Sequence, residues 1–476
     1  MRRTKILVTV GPASSSPAGL RGLVDAGADA IRVNFSHGDD AQHRDVLGNV
    51  RSLSEALGRR ITTVADLQGP KIRLGSLTPD ARLLNIGDEV DLEEGVGPST
   101  APVLPVALEG LLDAARVGQR ILLGDGAVEL EVISTGTHTA KSRVLSGGTV
   151  SSHQGIYFPG ASIAAAALSP KDEADLRVAV ESGADWVALS FVGRAEDIDR
   201  ARTLLRDLSP ERKVYIMAKV ERAAALEHQR DIIHASDAIM VARGDLGIEV
   251  PLARLALAQK SLISEALAAA KPVVVATQML LSMVHSPRPT RAEATDVANA
   301  VLDGADCMML SEETAVGEYP NEAVRYLARI AETTEPALWP APSSTVGKEV
   351  ELTGHEPPSV EAAVAESAVH LAGSIGARAI VVPSHSGRSA RLVARFRCRM
   401  PVLVLSSQAT TSAAVGLLWG VRARSVPARL SLEELREAAR VAAMEELQLE
   451  RGDRIVLTAG YPVEGRPTNL LTAVEI

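Results

Sequence analysis

The sequence has only two cysteines, Cys307 and Cys398, among its 476 residues, and they stand far apart without a CxxC spacing. This scarcity argues against a disulfide framework and a structural zinc site, and it fits a reducing, cytoplasmic location. Aromatic residues make up only 3% of the chain. The cores must therefore be built mainly from alanine, valine, leucine and isoleucine.

The chain also lacks an excess of positive charge and long apolar runs. The net charge of -9 provides no overall positive field for collecting phosphates, so we do not expect a general nucleic-acid binder. The apolar run near the N-terminus has only about five residues, too few for the core of a signal peptide. No run approaches the roughly 20 residues of a membrane span. We therefore expect a soluble protein, long enough for two or three domains.

Eight short apolar segments alternate with helical patterns. Three of them follow the phrase Gly-Ala-Asp, which begins at Gly27, Gly183 and Gly304. A glycine at that point suits the left-handed residue that closes a helix. The eight predicted strands are Ile6–Val10, Ala30–Val33, Ile61–Ala65, Trp186–Leu189, Val214–Met217, Ala238–Val241, Val273–Ala276 and Cys307–Leu310. Eight such units predict an α/β protein with a (β/α)8 barrel, whose functional residues collect at the carboxyl ends of the strands.

Two other regions differ in texture from the barrel. After the third strand, short β-prone runs alternate with glycine and aspartate turns, which predicts an inserted small all-β domain that could close over a substrate. After a proline-rich linker, a new αβ alternation predicts a C-terminal α/β domain with a mainly parallel sheet. The expected boundaries are 1–69 and 168–335 for the barrel, 70–167 for the β domain, 336–358 for the linker and 359–476 for the C-terminal domain.

Charged residues follow the fifth and sixth predicted strands, at Lys219 and Glu221 and at Asp245. Residues two apart on a strand share a face, so Lys219 and Glu221 can point to one place. Glu221 and Asp245 could hold a hard divalent cation between them, although either alone is equally typical of a solvated strand end. Gly244 begins what resembles a tight turn, whose amides could bind a carboxylate or a phosphate. Metal beside ammonium predicts chemistry on a phosphate or an enolate.

Polar residues also alternate along the end of the second strand, at Arg32, Asn34 and Ser36. The planar guanidinium of Arg32 suits a phosphate, whereas ordinary strand-end polarity is the alternative. His37 is equally compatible with an ordinary loop histidine.

Further candidates lie on the same predicted rim. Asp66 ends the third strand, and Thr277 follows the seventh. Lys71 and Arg73 share a face if that stretch is extended. A basic pair at the start of the inserted domain could bind nucleotide phosphates, or it could simply be solvated.

The C-terminal domain offers a polar loop between its first strand and the next helix. Hydroxyls, a glycine and an arginine at a helix start suit an anion, and a polar loop with a capping serine is the alternative. The candidate residues are Ser384, Ser386, Gly387, Arg388 and Ser389.

Several long motifs resemble those of the pyruvate kinase family: IRVNFSHG, DLQGPKIR, IMAKVER, MVARGDLGIE, VATQML and TRAEATDVANAVLDGADCMMLSEETA. The resemblance covers essentially the whole chain, including the order of barrel, β domain and C-terminal domain. It implies transfer of the phosphoryl group of phosphoenolpyruvate to ADP, giving pyruvate and ATP.

The resemblance also implies roles for individual residues. Glu221 and Asp245 would hold Mg²⁺ or Mn²⁺, and Lys219 and Arg32 would neutralise the phosphoryl group. Gly244 would seat the substrate carboxylate together with Asp245.

Further roles follow from the same resemblance. Thr277 lies where the enolate is bound and reprotonated. The positions implied near the nucleotide are Asn34, His37, Arg73 and Lys171.

The chain departs from the family pattern at the monovalent cation. Many members bind K⁺ through residues matching Asn34, Ser36, Asp66 and a threonine, but Leu67 stands here in place of the threonine. Those members also have a glutamate where this chain has Lys71. We therefore expect the Lys71 ammonium to replace K⁺, as in a K⁺-independent subgroup of the bacterial enzymes.

The family's C-terminal domain binds phosphorylated effectors, so the loop from Ser384 to Ser389 predicts a site for a sugar phosphate or a nucleotide. The family is usually tetrameric, which predicts a homotetramer. An Mg²⁺-dependent C–C lyase or aldolase acting on a pyruvate enolate is the alternative. Such an enzyme would need neither the inserted β domain nor the basic pair Lys71 and Arg73.

Overall fold

The structure is a computed structural model that describes residues 2–70, 72–108, 110–124, 126–159, 168–339, 359–460 and 468–476. Lys71, most of the expected linker 336–358 and the end of the expected β domain 70–167 therefore lie outside the described residues.

The chain begins with the first three strands of a barrel and the helices between them. These elements are β1 (Lys5–Val10), α1 (Pro17–Ala26), β2 (Ala30–Asn34), α2 (Asp40–Ala56) and β3 (Thr62–Asp66). The next eight strands form the inserted β region. They are β4 (Ala81–Leu84), β5 (Glu89–Glu94), β6 (Val103–Val106), β7 (Arg120–Leu123), β8 (Val128–Gly136), β9 (Thr139–Ser146), β10 (Gly148–Ser151) and β11 (Ile156–Tyr157).

The chain then returns to the barrel. The elements of this half are α3 (Pro170–Glu181), β12 (Trp186–Leu189), α4 (Ala195–Leu208), β13 (Tyr215–Val220), α5 (Ala223–Glu227), α6 (Gln229–Ala235), β14 (Ala238–Ala242), α7 (Arg243–Glu249), α8 (Leu252–Ala268), β15 (Val273–Ala276), α9 (Arg291–Asp303), β16 (Cys307–Leu310), α10 (Glu312–Ala315) and α11 (Pro320–Thr334). The C-terminal elements are α12 (Val360–Ser374), β17 (Ala379–Pro383), α13 (Arg388–Ala394), β18 (Val402–Ser406), α14 (Ala409–Val415), β19 (Val421–Ser425), α15 (Leu432–Leu447), β20 (Arg454–Ala459) and β21 (Leu470–Glu475).

Eight parallel strands close into a barrel in the order β1-β2-β3-β12-β13-β14-β15-β16, which confirms the predicted (β/α)8 architecture. Three of the predicted strands, β12, β15 and β16, have the predicted bounds. The largest difference is at β13, which continues through Lys219 to Val220 instead of ending at Met217. A charged residue can remain inside this strand because Lys219 is paired with buried carboxylates.

The three Gly-Ala-Asp phrases have the same structure in each case. Each glycine follows a helix with a positive φ, at Gly27 (121°), Gly183 (83°) and Gly304 (98°). Each aspartate then accepts a backbone N–H from the neighbouring barrel strand. The pairs are Asp29 with Ile6, Asp185 with Thr63, and Asp306 with Val273. The phrase therefore ends a helix and ties the amino ends of two adjacent strands.

In its described residues the inserted region is all-β apart from a short 3₁₀ helix, as predicted. It contains a two-stranded sheet of β4 and β10 and a six-stranded sheet in the order β11-β7-β8-β9-β5-β6. Its apolar core, which includes Leu92, Leu130 and Phe158, is separate from that of the barrel.

The C-terminal sheet has the strand order β19-β18-β17-β20-β21, parallel except for β21. The mainly parallel sheet confirms the prediction for this domain. The edge strands are β19 and β21, and β19 carries two arginines that hide the usual apolar pattern of a strand.

The C-terminal domain packs against the amino-terminal end of the barrel. Asp306 pairs with Arg397 at 2.7 Å, and Trp186 Nε1 donates to the carbonyl of Ala413 at 3.1 Å. The carboxyl ends of the barrel strands therefore face the opposite side. Among the described residues, no helix is both long and apolar enough to cross a membrane.

Candidate active site

Lys219 occupies the centre of a buried polar cluster at the carboxyl end of the barrel. Its Nζ lies 2.9 Å from Glu221 Oε1 and 3.1 Å from Asp66 Oδ1, and it donates to Ser190 Oγ at 2.7 Å. The partners come from β3 and from the ends of β12 and β13, so the closed barrel is what brings them together. Burial alone would lower the pKa of Lys219, but the charges of Asp66 and Glu221 raise it. The ammonium is therefore charged at neutral pH.

Asp66 holds two cations in place. Its Oδ2 accepts from Arg32 Nε at 2.6 Å, while its Oδ1 faces Lys219. Arg32 also donates to Thr9 Oγ1 at 3.0 Å. Burial would raise the pKa of Asp66, but the charges of Arg32 and Lys219 lower it. Arg32 and Lys219 are thus fixed on one carboxylate, where both can serve an anionic substrate.

Two further carboxylates complete the cluster. Glu221 is almost fully buried, and its Oε2 accepts from the backbone N–H of Phe191 at 2.7 Å. Asp245, in the first turn of α7, accepts from the hydroxyl of Tyr157 at 3.1 Å. Burial raises the pKa of Glu221, Lys219 opposes that shift, and the charge of Asp245 adds to it.

The donor set fits a divalent cation. Arg32 and Lys219 pair with Asp66 and Glu221, and the carboxylate of Asp245 acts on Glu221, so the formal charges of these five side chains sum to one negative charge. Carboxylate oxygens are the ligands that Mg²⁺ and Mn²⁺ prefer. A divalent cation between Glu221 and Asp245 would relieve their repulsion and make the cluster attractive to an anion.

The prediction of a tight turn at Gly244 is wrong, because residues Arg243–Glu249 form the short helix α7. The amide of Gly244 does point into the site, where it donates to Thr277 Oγ1 at 2.8 Å. Arg243 Nη2 donates to the carbonyl of Thr277 at 2.7 Å. Thr277 has a φ of 70°, a strained conformation for a β-branched residue. Hydrogen bonds to the side chain and to the carbonyl of Thr277 therefore keep the residue in this strained conformation.

Three of the four predicted nucleotide residues lie around the loop after β2. Asn34 ends β2, and His37 is exposed in the loop. Lys171 donates to the carbonyl of Phe35 at 3.0 Å and pairs with Asp175. The fourth, Arg73, lies in the β region. In the described part of the chain its guanidinium bonds there, to the carbonyl of His153, and not to the loop after β2.

Two of the predicted monovalent-cation residues that the structure describes, Asn34 and Asp66, are engaged with protein groups. Asn34 Oδ1 accepts the backbone N–H of Ser36 at 3.1 Å, and both oxygens of Asp66 face cations. Leu67 is buried, and its carbonyl accepts from Ser190 Oγ at 2.7 Å.

The predicted effector loop connects β17 to α13. Ser384 Oγ accepts the N–H of Gly387, which has a φ of 78°, and Ser389 bonds to Thr468 at 2.7 Å. Arg388 pairs with Glu361 at 2.8 Å, and the carbonyl of Ser386 faces Arg391. An anion bound to Arg388 would therefore have to compete with Glu361.

The sequence predictions missed three residues of the cluster. Ser190 and Thr9 bond directly to Lys219 and Arg32. Ser190 follows β12. The expectation that functional residues lie at the carboxyl ends of barrel strands, which identified Lys219, would therefore have identified Ser190 as well. Tyr157 reaches Asp245 from the β region, and no local pattern indicates that contact.

Comparison with known proteins places this geometry in a family context. The model "Pyruvate kinase, barrel domain" matches residues 1–324, and "Pyruvate kinase, alpha/beta domain" matches residues 362–474. A pyruvate kinase of Agrobacterium vitis is 40% identical over 97% of this chain and 95% of its own length. One of Corynebacterium glutamicum is 40% identical over 97% of this chain and 94% of its own length.

The fold comparison agrees with the sequence comparison. The crystal structure of a pyruvate kinase from Cryptosporidium parvum superposes with a TM-score of 0.92 and 31% identity. It covers 100% of this chain, which covers 96% of that structure.

Proposed function

The chain belongs to the pyruvate kinase family and transfers the phosphoryl group of phosphoenolpyruvate to ADP in glycolysis, and we propose that the cluster around Lys219 performs this transfer. The observation that carries the proposal is the position of Lys219 between Asp66 and Glu221, beside Arg32. Phosphoryl transfer asks a protein mainly for positioning and charge neutralisation. A buried ammonium and a fixed guanidinium provide both.

Each side chain has a separate part in the proposed reaction. Arg32 binds the phosphate of phosphoenolpyruvate, and Lys219 neutralises the phosphoryl oxygens as the group moves to ADP. Glu221 and Asp245 hold Mg²⁺ or Mn²⁺. When bound, that ion supplies Lewis-acid stabilisation of charge on the phosphoryl and enolate oxygens.

Gly244 and Thr277 serve the pyruvate end of the substrate. The Gly244 amide and Asp245 lie at the start of α7, where the substrate carboxylate is to be seated. The hydroxyl of Thr277 accepts from the amide of Gly244, and in this proposal it serves the enolate that must be reprotonated. Asn34, His37 and Lys171 would bind ADP with Arg73, which the β region carries.

A pair of matched variants tests the role of Lys219. Lys219→Met removes the ammonium, so kcat should fall at least about a hundredfold, as when one group that stabilises a transition-state oxyanion is removed. Lys213→Met is the control, because Lys213 precedes the same strand at its other end and pairs with Asp237. Pyruvate formation coupled to lactate dehydrogenase measures both. Equal activity in the two variants would contradict the assignment.

We further propose that the enzyme does not require K⁺. The support is the sequence, where Leu67 removes an oxygen ligand and Lys71 adds a cation, together with the engagement of Asp66 by Arg32 and Lys219. Replacing K⁺ by tetramethylammonium in the assay should leave nearly full activity. Lys71→Glu should then make activity more dependent on K⁺. A large loss of wild-type activity without K⁺ would refute the proposal.

Regulation and assembly form the last part of the proposal. A sugar phosphate or nucleotide bound at the loop of Ser384, Ser386, Gly387, Arg388 and Ser389 would displace Glu361 from Arg388 in a homotetramer. Sigmoidal phosphoenolpyruvate kinetics relieved by such a compound would support this. Hyperbolic kinetics that no candidate changes would count against it. A cytoplasmic location is compatible with the two buried, unpaired cysteines.

A further inference from the structure

Tyr157 belongs to the inserted β region but contacts the catalytic end of the barrel. It lies in β11, which pairs antiparallel with β7, and its hydroxyl donates to Asp245 Oδ1 at 3.1 Å. The two residues are 88 positions apart in the sequence. The contact therefore joins two parts of the molecule that have separate apolar cores.

The alternation of β11 explains why Tyr157 faces the barrel. Its neighbours Ile156 and Phe158 both belong to the core of the β region. Successive side chains on a strand point to opposite faces, so Tyr157 points away from that core. Yet Tyr157 is only 6% exposed, so other parts of the molecule cover it. Its position at Asp245 is thus set by strand geometry and burial together.

The hydrogen bond uses Oδ1 of the Asp245 carboxylate, and within the described residues no hydrogen bond engages the other oxygen, which could bind a cation. We propose that Tyr157 is a positioning residue, which orients Asp245 for the divalent ion and ties the β region to the metal site. This inference rests on the proposed metal role of Asp245. Groups that hydrogen-bond to metal ligands fix the orientation of those ligands and strengthen binding.

The hydrogen bond between Tyr157 and Asp245 couples metal binding to the position of the β region. If Tyr157 favours the metal-binding orientation of Asp245, bound metal favours the position of the β region in which Tyr157 reaches Asp245. Such coupling is reciprocal by thermodynamic necessity. Metal binding should therefore stabilise the β region against the barrel before any substrate is present.

Binding of Mn²⁺ to the substrate-free full chain tests the proposal. Free Mn²⁺ is measured by electron paramagnetic resonance during titration of wild type and Tyr157→Phe. The variant keeps the ring and loses the hydroxyl, so its Mn²⁺ dissociation constant should rise about tenfold. Tyr326→Phe is the matched control, because Tyr326 lies in α11 on the outside of the barrel, and its affinity should equal that of wild type. Wild-type affinity in Tyr157→Phe would overturn the inference.

Two additional measurements separate the possible results. Asp245→Asn should weaken Mn²⁺ binding whether or not Tyr157 contributes. If Asp245→Asn is weakened and Tyr157→Phe is not, the metal site stands and the inference fails. If Asp245→Asn binds like wild type, the proposed metal role itself fails.

Hydrogen exchange of residues 72–108 should slow when Mn²⁺ binds wild type, and this protection should be reduced in Tyr157→Phe. Equal protection in the two proteins would overturn the coupling.

Discussion

The burial of Lys219 depends on its neighbours. An ammonium in an apolar interior would be strongly unfavourable alone, whereas here two carboxylates and a hydroxyl surround it. Asp66 in turn depends on Arg32 and Lys219 for its own charged state. The charged residues of the cluster therefore stabilise one another, and the loss of any one takes a partner away from a buried charge.

Asp66→Asn tests this dependence. The substitution deprives both Arg32 and Lys219 of a buried partner, so the free energy of unfolding should fall by about 3–5 kcal/mol at pH 7. The exposed i,i+4 pair of Asp25 with Arg21 is the control, and Asp25→Asn should cost at most about 0.5 kcal/mol. Chemical denaturation measures both. Similar losses in the two variants would contradict the argument.

The pH dependence of the Asp66 effect has a definite sign. Because Arg32 and Lys219 outweigh burial, the pKa of Asp66 in the folded protein lies below its ordinary value of 3.8. The stability that Asp66 contributes is therefore complete above 3.8 and is lost as the pH falls through the folded pKa. Wild type and Asp66→Asn should thus converge in stability below pH 3.8. A difference that widens on acidification would contradict this.

At this scale the sequence predicted the charged residues at the ends of barrel strands, and it missed the hydroxyls of Thr9, Ser190 and Tyr157 that bond to them. Lys219, Glu221 and Asp66 were found because strand ends share one rim of a barrel. Tyr157 was missed because its contact depends on how the β region meets the barrel, which no local pattern records. The residue roles themselves stay predictions until the variants are measured.

Among the elements, the helix ends were the most predictable feature. Gly304 closes α9 with a φ of 98°, and the Gly-Ala-Asp phrase had indicated such a residue. The prediction of a tight turn at Gly244 was wrong, because a short segment that contains glycines can still form a helix when tertiary contacts hold that helix in place. Arg243 provides such contacts through Asp296 and Thr277. Glycine thus indicated backbone conformation reliably only where a repeated phrase specified it.

Two glycine substitutions should change stability in opposite directions. Gly304→Ala places a Cβ on a left-handed residue, 3.0 Å from Leu267 Cδ1, and should lower the free energy of unfolding by about 1–2 kcal/mol. Gly48→Ala in α2 meets no atom within 4 Å, and it should raise that free energy by about 0.5–1 kcal/mol. Thermal unfolding of the two variants measures the signs. Stabilisation by Gly304→Ala would contradict the role of the left-handed cap.

For the whole molecule, the barrel separates two tasks between its ends. The carboxyl ends carry the Lys219 cluster and meet the β region, while the amino ends meet the C-terminal domain. Asp306 belongs to both the barrel and this interface, since it accepts from the N–H of Val273 and Trp419 and pairs with Arg397. One of the three repeated aspartates, Asp306, is therefore also a contact point for the C-terminal domain.

Arg397→Met tests this attachment. Arg397 is 9% exposed, and besides Asp306 it bonds to the carbonyl of Gly304. Its removal leaves a buried carboxylate without its cation, so the free energy of unfolding should fall by about 3–5 kcal/mol. Arg378→Met is the control, because Arg378 is 63% exposed and its pair with Asp453 lies within the C-terminal domain at 3.6 Å. That substitution should cost at most about 1 kcal/mol.

Calorimetry and kinetics together decide what the Arg397 contact does. If it joins the C-terminal domain to the barrel, the variant should unfold at a lower temperature and be cut by protease between the two units more quickly. The Lys219 cluster lies at the other end of the strands, so kcat at saturating substrates should be unchanged below the transition. Loss of kcat in a fully folded Arg397→Met protein would show instead that the interface acts directly on the active site.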